Sequence, residues 1–234
     1  MSKSFTLLMA MVAATPSVAL AGPYFGIGAG GARMESSLAE LGLVPGLTTD
    51  TDVIGTDPDF SSTDVSFDVT AGWMFGEYIG VEVGYTDFGR ATQNYELPLS
   101  PPSCLDNDPT NDGFGCQERE WTAQVDMTAL RAFIVGNLPL NENFDVYAKV
   151  GAVRWDADYS GFERNQILVP GLPVGPRNDP VNFDDDGTDL AAGIGLTMKT
   201  DTPFSLRVDF SYYDVHSTDL LWTAELSGIY TFDW

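Results

Sequence analysis

Residues 65–87 read VSFDVTAGWMFGEYIGVEVGYTD, and apolar and polar side chains alternate along both halves of this stretch. A period of two over this length is the pattern of a β-strand with one apolar face. Gly76, Glu77 and Tyr78 separate the two halves, which is the spacing of a tight hairpin turn. The stretch therefore predicts an antiparallel hairpin with one apolar and one polar face.

The same alternation recurs along the rest of the chain. It predicts eight strands, at about residues 24–34, 65–75, 79–87, 123–138, 144–155, 189–198, 204–213 and 220–234. Long connections at 35–64, 89–120 and 156–188 alternate with short ones, so that the long ones share one end of the strands. Transmembrane barrels have this arrangement, with long extracellular loops and short periplasmic turns. The predicted fold class is all-β, an eight-stranded antiparallel transmembrane β-barrel.

The N-terminus has the features of a cleaved signal peptide. Lys3 precedes an apolar run from Phe5 to Ala14, and Ala19-Leu20-Ala21 forms a small-x-small cleavage pattern. An uncleaved anchor is the alternative, but the run is shorter than the ~20 residues that a membrane helix needs. We expect cleavage of residues 1–21, which leaves a barrel domain of residues 22–234. Export through the periplasm to the outer membrane of a Gram-negative cell follows.

The charges of the strands are expected to lie inside the barrel. If Val81, Val146 and Val208 face lipid, the neighbouring charged residues face the lumen. This argument selects Glu82, Arg131, Lys149, Arg207, Asp209 and Glu225, and leaves Asp126 near the outer rim. Buried charges must be paired, and an eight-stranded barrel is only wide enough for its own side chains. We therefore predict a luminal plug of salt bridges.

Four segments resemble the eight-stranded transmembrane domain of outer membrane protein A and its small opacity-type relatives. They are GVEVGYTDFG at 80–89, FDVYAKVG at 144–151, SLRVDF at 205–210 and GIYTF at 228–232. The resemblance implies that Glu82, Lys149, Arg207 and Asp209 pair across the barrel interior. It also implies that the barrel-assembly machinery reads the closing aromatic residues, Tyr230, Phe232 and Trp234. Most such proteins end in Phe, so Trp234 is a variant of that signal.

Cys104 and Cys116 are the only cysteines in the chain. An exported protein meets oxidising conditions, so we predict that they form a disulfide within the 89–120 connection. A redox-active pair is the alternative, but the two residues lack the CxxC spacing.

Two patterns imitate ligand sites. Gly26-x-Gly28-x-x-Gly31 matches a dinucleotide-binding motif, but no helix pattern follows it, and glycines packed on the inner face of a small barrel explain it better. Residues 108–119 imitate an EF-hand loop, but Arg119 stands where a glutamate should chelate calcium. We therefore expect no cofactor and no resident metal site, which leaves open loose Ca²⁺ or Mg²⁺ binding by the loops.

His216 is the only histidine, and any histidine-based hydrolase mechanism would have to use it. Barrels that modify lipid A exist, and Ser217, Asp214 and Asp219 are neighbours in sequence. Adjacent side chains diverge on a strand or a short loop, which makes a contact between His216 and Ser217 awkward. We expect no catalytic residue.

The charge balance bears on partners. The chain has 34 Asp+Glu against 11 Lys+Arg, which argues against nucleic acid as a partner. Residues 35–64, 89–120 and 156–189 hold most of the acid, either for solubility or to bind lipopolysaccharide phosphates through Ca²⁺ or Mg²⁺, with Asp184-Asp185-Asp186 as the first candidate. We predict a structural or surface-interaction protein that serves envelope integrity or adhesion. A narrow pore and a lipid A-modifying enzyme are the alternatives.

Overall fold

A computed structural model describes residues 22–37, 59–99, 117–169, 172–173 and 180–232. The strands in these ranges are β1 (Gly22–Ser37), β2 (Asp59–Phe75), β3 (Ile79–Leu99), β4 (Gln117–Pro139), β5 (Phe144–Val169), β6 (Leu172–Pro173), β7 (Pro180–Lys199), β8 (Phe204–Asp214) and β9 (Leu220–Thr231). Within the same ranges no helix is long and apolar enough to cross a membrane.

Eight of these strands form a closed antiparallel barrel. Apart from β6, every strand pairs with the strands before and after it in the chain, and β1 pairs with β9 from Tyr24↔Thr231 to Glu35↔Leu220. That last ladder closes the sheet. β6 pairs only with the end of β5, at Leu168↔Pro173 and Val169↔Leu172. The predicted eight-stranded antiparallel barrel is confirmed.

Three short turns, at 76–78, 140–143 and 200–203, lie at one end, which we call the lower end. Gly76 adopts a φ of +79°, a conformation that only glycine enters without strain. Asn141 Oδ1 accepts hydrogen bonds from the backbone N–H groups of Asn143 and Phe144, both at 2.9 Å. The strand ends that flank the longer connections lie at the opposite, upper end, together with the 215–219 turn. This distribution of short and long connections agrees with the prediction.

The strands are longer at the upper end than the alternation predicted. The interpretation of 35–64, 89–120 and 156–188 as loops is wrong at 35–37, 59–64, 89–99, 117–120, 156–169, 172–173 and 180–188, which belong to strands. The β4–β5 ladder runs up to Gln117↔Ile167, and the β5–β7 ladder up to Phe162↔Pro180. The predicted limits failed because they were placed where the apolar face ends, and the hydrogen-bond ladder continues past that point.

The two faces of the barrel exchange polarity along its axis. On the lower part, large apolar side chains point outward and are exposed, and we call this surface the apolar band. Its members include Phe67, Val69, Val81, Val83, Ile134, Val150, Leu190, Ile194, Val208 and Leu226. On the upper part, polar side chains point outward and apolar ones point inward. The inward set, which we call the upper core, includes Met34, Phe60, Phe88, Val125, Met127, Val153, Trp155 and Leu221.

A β-bulge lies where β3 passes from the lower part to the upper part. The β3–β4 register shifts between Asp87 and Arg90, and Gly89 has a φ of +78°. The extra residue lets both Phe88 and Ala91 face the interior, where both are buried. Asp64 Oδ2 accepts the Arg90 backbone N–H at 2.6 Å and so holds the bulge against β2.

The apolar band makes the lipid-facing assignment testable. Val208 points outward and is 57% exposed. We expect Val208→Arg to lower the free energy of unfolding in lipid vesicles by about 2–4 kcal/mol, because it places a charge in lipid near the bilayer midplane. Thr92→Arg is the matched control, since Thr92 is exposed on the upper part of β3, and it should cost far less. Equal costs for the two variants would contradict a lipid-facing band.

Candidate functional site

The interior of the lower part holds a cluster of charged side chains. Five of the six predicted luminal residues, Glu82, Arg131, Lys149, Asp209 and Glu225, are at most 5% exposed. The side chain of the sixth, Arg207, is 11% exposed. The structure thus brings all six to the inner face of the barrel. Asp68 joins them and is also buried. We call these seven residues the luminal network.

Glu82 is the centre of the lower half of the network. Its carboxylate accepts hydrogen bonds from Arg207 Nη1 at 2.7 Å and from the Tyr24 hydroxyl at 2.8 Å. Lys149 Nζ lies 3.9 Å from Glu82 Oε1 and 2.9 Å from Asp209 Oδ2, so one ammonium joins two carboxylates. The Arg207 guanidinium also lies 4.6 Å from the ring centroid of Tyr147, a cation–π contact.

Arg131 is the centre of the upper half. It forms an ion pair with Asp68 and donates from Nη1 to the Tyr213 hydroxyl at 3.1 Å. The Thr86 hydroxyl also donates to Asp68, at 3.5 Å. The sequence prediction missed Asp68 as a partner, although residues 65–75 place it on the same face as Ser66 and Thr70. The alternation therefore contained the signal that would have identified it.

Asp209, like Glu82, has three side-chain partners. In addition to Lys149, its carboxylate accepts hydrogen bonds from the hydroxyls of Tyr147 and Ser211. Tyr147 comes close because β7 carries glycine beside it: a Cβ on Gly195 would lie 2.4 Å from the Tyr147 hydroxyl oxygen. Absence of a side chain at Gly195 therefore allows a bulky tyrosine to fill the lumen. The side chains around Asp209 each reduce the space that is left for water in the lumen.

A cavity of about 460 Å³ opens at the lower end. Its lining reaches Arg207 and Tyr24 but includes neither Lys149 nor Arg131. Near the mouth, Lys199 Nζ lies 2.7 Å from Asp145 Oδ1, and Asn137 Nδ2 donates to Asp145 Oδ2 at 3.1 Å. The open space thus ends at the luminal network.

The upper core fills the interior above the luminal network and so blocks the lumen at a second level. Phe60, Trp155 and Leu221 are completely buried. The Phe88 ring packs edge-on against Tyr213 at a centroid distance of 5.1 Å. Because the Tyr213 hydroxyl also bonds to Arg131, Tyr213 connects the upper core to the luminal network. Two layers of different chemistry, one ionic and one apolar, therefore fill the interior.

His216 lies in the 215–219 turn and pairs with a residue that sequence reasoning did not select. Its Nδ1 is 3.1 Å from Asp189 Oδ2, which also accepts the Trp155 Nε1–H at 2.7 Å. Partial burial raises the pKa of Asp189, but these hydrogen bonds outweigh it and hold that pKa below its usual range. Ser217 Oγ accepts from the Tyr159 hydroxyl at 3.2 Å. His216 and Ser217 thus have separate partners, and 27 residues of sequence separate His216 from Asp189.

The outward face of the upper part carries an acidic wall on β4, β5 and β7. Its members are Asp126, Asp156, Asp158, Asp184 and Asp186. Asp158 stands directly opposite both Asp126 and Asp184, and Asp156 stands opposite Asp186.

Two arginines pair with the acidic wall. Arg90 Nε lies 2.8 Å from Asp126, and Arg154 Nη2 lies 3.2 Å from Asp186. The predicted Asp184-Asp185-Asp186 site is divided, because Asp185 falls on the other face of β7 and is half-buried. Among the described residues, no group of three or more His, Cys, Asp or Glu has an arrangement that could hold a metal ion.

Several predicted features lie at or beyond the limits of the described residues. Tyr230 lies near the lower end of β9, and its ring contacts those of Phe204 and Phe232 at 5.0 and 4.9 Å. Cys104, Cys116, Trp234, the signal peptide 1–21 and most of the EF-hand-like segment lie outside the described residues. The disulfide, the cleavage site and the terminal assembly signal stay predictions.

Comparison with known proteins gives a family match over most of the chain. Residues 4–228 match the family described as outer membrane protein beta-barrel domain. No curated protein matches the chain. Among solved structures, Ail, the attachment invasion locus protein of Yersinia pestis, is 15% identical over 90% of this chain and 99% of its own, with a TM-score of 0.42.

Two further barrels are similar at comparable levels. Neisserial surface protein A is 10% identical over 91% of this chain and 99% of its own, with a TM-score of 0.45. The N-terminal beta-barrel domain of Pseudomonas aeruginosa OprF is 10% identical over 88% of this chain and 97% of its own, with a TM-score of 0.40.

Proposed function

The chain belongs to the outer membrane protein beta-barrel domain family, and from this premise we propose that it is a closed anchor that presents its acidic wall at the cell surface. The protein lies in the outer membrane, with its short turns toward the periplasm. Its proposed role is structural or surface-interactive, in envelope integrity or adhesion, and needs no catalytic residue. The observation that carries this proposal is the set of carboxylates placed directly opposite one another on the acidic wall.

The height of the acidic wall supports a contact with headgroups. The apolar band ends at Leu190 on β7, and on β5 the outward residues above Ala152 are Arg154 and then Asp156. Asp156 therefore stands about 14 Å along the strand from Ala152, at about 3.4 Å per residue. The polar layer of a bilayer leaflet is about 5–8 Å thick. Since barrel strands are tilted, the acidic wall begins just above that layer, where lipopolysaccharide carries its phosphates and core sugars.

The charge pattern supports a cation as the bridge. Like charges at directly opposite positions of a sheet destabilise it, and Asp158 meets two such neighbours. Ca²⁺ and Mg²⁺ prefer carboxylate, phosphate and water oxygens. A divalent cation between the wall and a lipopolysaccharide phosphate relieves the repulsion and attaches the barrel to its lipid. In the proposed function the wall itself, rather than the lumen, contacts the partner.

The experiment neutralises three carboxylates of the acidic wall in one variant and three carboxylates of the lower turns in a control variant. Asp156→Asn, Asp158→Asn and Asp184→Asn are combined in one variant, which leaves the Arg154–Asp186 pair in place. The control combines Glu77→Gln, Glu142→Gln and Asp201→Asn, all exposed at the lower turns. Thermal unfolding is followed in lipopolysaccharide-containing vesicles with Mg²⁺ and after chelation. Chelation should lower the midpoint of the wild type and the control, but not of the wall variant. An equal decrease in all three proteins would contradict the cation bridge.

A narrow pore is the second candidate function, because the lumen is lined by charges and a cavity opens toward the periplasm. The packing of the luminal network and the upper core supports a closed state instead. Wild-type protein in planar bilayers should show no steady conductance at moderate voltage. Stable single-channel steps from purified wild-type protein would favour the pore.

A further inference from the structure

The upper half of β7 is paired along one side only in the part of the chain that the structure describes. Its ladder with β5 continues up to Phe162↔Pro180, whereas its ladder with β8 ends at Leu190↔Asp214. Residues 180–189 therefore form a sheet edge about 30 Å long, which we call the β7 edge. A strand edge presents unpaired backbone N–H and C=O groups, which can pair with another strand.

The upper part of β3 also lacks a paired strand on one side, but side chains of β2 close that edge. Above the last pair of the β2–β3 ladder, the Arg90 backbone N–H donates to Asp64 Oδ2 at 2.6 Å, and the Thr92 backbone N–H donates to Ser62 Oγ at 3.2 Å. The β7 edge differs. Among the described residues, the side chain that bonds to its backbone is one of its own, Asp185.

The bond to Asp185 also identifies the residues whose backbone groups face the open side of the β7 edge. The Asp186 N–H donates to Asp185 Oδ1 at 3.0 Å, so it points away from the β5 ladder. Along an antiparallel strand, the backbone groups of alternate residues point to opposite sides. The N–H and C=O groups of residues 182, 184, 186 and 188 therefore face the open side, and those of residues 183, 185 and 187 pair with β5.

The outward side chains beside the β7 edge are acidic. Asp186 pairs with Arg154, and Asp184 stands directly opposite Asp158. A strand added at this edge would place its own outward side chains opposite Asp184 and Asp186, where basic residues form favourable cross-strand pairs. A second copy of this chain would place like carboxylates there, and the chain has a net charge of −23. The charge pattern therefore selects a basic partner over self-association.

The inward side chains beside the β7 edge offer an apolar contact. The Phe183 ring stacks on that of Tyr159 at a centroid distance of 4.8 Å. Phe183 is nevertheless 37% exposed, because the β7–β8 ladder ends below it, at Leu190. An apolar side chain of an added strand would cover this ring and remove it from water.

We propose that the β7 edge binds an extended segment of another protein, which adds a strand to the sheet and carries alternating basic and apolar residues. The backbone of this segment pairs with residues 182–188 and supplies the affinity, and its side chains supply the specificity. Its basic residues lie opposite Asp184 and Asp186, and its apolar residues pack on Phe183. The site goes beyond the lipopolysaccharide contact proposed above, since it uses the backbone of β7 and needs no divalent cation.

The test uses a synthetic heptapeptide of alternating lysine and valine, KVKVKVK, with both ends blocked. It is titrated into the full barrel in detergent micelles, with a chelator present so that cation bridges play no part. The control peptide has the same sequence, but its lysine backbone nitrogens are methylated. It keeps every charge and loses the donors that would face β7. We expect the control to bind at least about tenfold more weakly than the unmodified peptide, because backbone pairing supplies the affinity.

Amide hydrogen exchange shows where the peptide binds. The unmodified peptide should slow exchange of the backbone N–H groups of Asp184 and Thr188, which face the open side. It should leave those of Phe183 and Asp185 unchanged, since they already pair with β5. No binding, equal binding of the two peptides, or binding without this alternate protection would overturn the proposal and leave at most a general attraction between opposite charges.

A pair of variants at one exposed position tests the same edge from the side of the barrel. Thr188→Pro removes an N–H that faces the open side, a place where a strand tolerates proline, and Thr188→Val keeps that N–H. Thr188→Pro should weaken peptide binding about tenfold, and Thr188→Val should bind as the wild type. Equal binding by the two variants would contradict backbone pairing. The comparison of the two peptides uses the wild type alone, so it does not depend on how well the proline variant folds.

Discussion

Arg207→Ala is expected to lower the free energy of unfolding by about 3–5 kcal/mol, because it leaves Glu82 as a buried carboxylate without its closest cation. Lys149 does not compensate, since its ammonium lies 3.9 Å from Glu82 and is bound more closely to Asp209. Urea unfolding in lipid vesicles measures the loss. Arg154→Ala is the matched control, because the pair it forms with Asp186 is exposed on both sides and should contribute less than about 1 kcal/mol.

The same substitution should change the permeability of the barrel. Arg207 fills the space between Tyr24 and Tyr147 at the top of the periplasmic cavity. Removal of the Arg207 side chain extends that cavity toward Lys149 and loosens the packing of the luminal network. We expect ion conductance in planar bilayers from Arg207→Ala and none from Arg154→Ala. If Arg207→Ala matched the wild type in both stability and conductance, the luminal network would not be the closure that we describe.

Trp155→Ala should have an effect of similar size in the upper core. Trp155 is fully buried, and a large-to-small change at such a position costs about 3–5 kcal/mol. Part of this cost belongs to the hydrogen bond from Trp155 Nε1 to Asp189, which also holds His216. Trp155→Phe separates the two contributions. It keeps most of the packing and loses the hydrogen bond, so it should cost about 1 kcal/mol.

Unfolding in vesicles and proteolysis from outside the cell are the two measurements for Trp155. Trp155→Ala should make β5 and β7 more susceptible to protease above the apolar band, while the embedded part stays protected. A loss below about 1 kcal/mol for Trp155→Ala would mean that the strands above the band do not enclose a packed core.

The apolar band explains why the barrel was predictable from its sequence. Lipid leaves only one polarity for an outward side chain, so Val81, Val83, Val208 and Leu226 alternate strictly with luminal residues. That alternation established strand number, direction and inner face. It also selected the six charged residues, because a charge within a lipid-facing strand must point inward. The same alternation places Asp68 on the inner face, although the prediction did not select it; only its pairing with Arg131, 63 residues away, could not be read from one sequence.

The upper part was misread for a physical reason. Above the apolar band the environments of the two faces are reversed. Outward side chains contact water there, and inward side chains pack in the upper core. On β5, Arg154, Asp156 and Asp158 face outward while Val153, Trp155 and Ala157 face inward. The alternation continues there, but its acidic members resemble loop composition. Side-chain pairs in the upper part of the barrel, such as Asp189 with His216, join residues that are distant in sequence. Only the register of β7, β8 and β9 brings these residues together.

The most direct test of this account follows β5 from lipid into water. Single nitroxide labels at the outward positions 146, 148, 150, 152, 154, 156, 158 and 160 are measured by electron paramagnetic resonance in bilayers, with oxygen and a water-soluble nickel complex as relaxing agents. Oxygen should dominate up to Ala152 and the nickel complex from Asp156, with restricted label motion throughout, because the ladders continue to Phe162. Highly mobile labels from Asp156 onward would contradict a barrel wall above the membrane and would restore a loop.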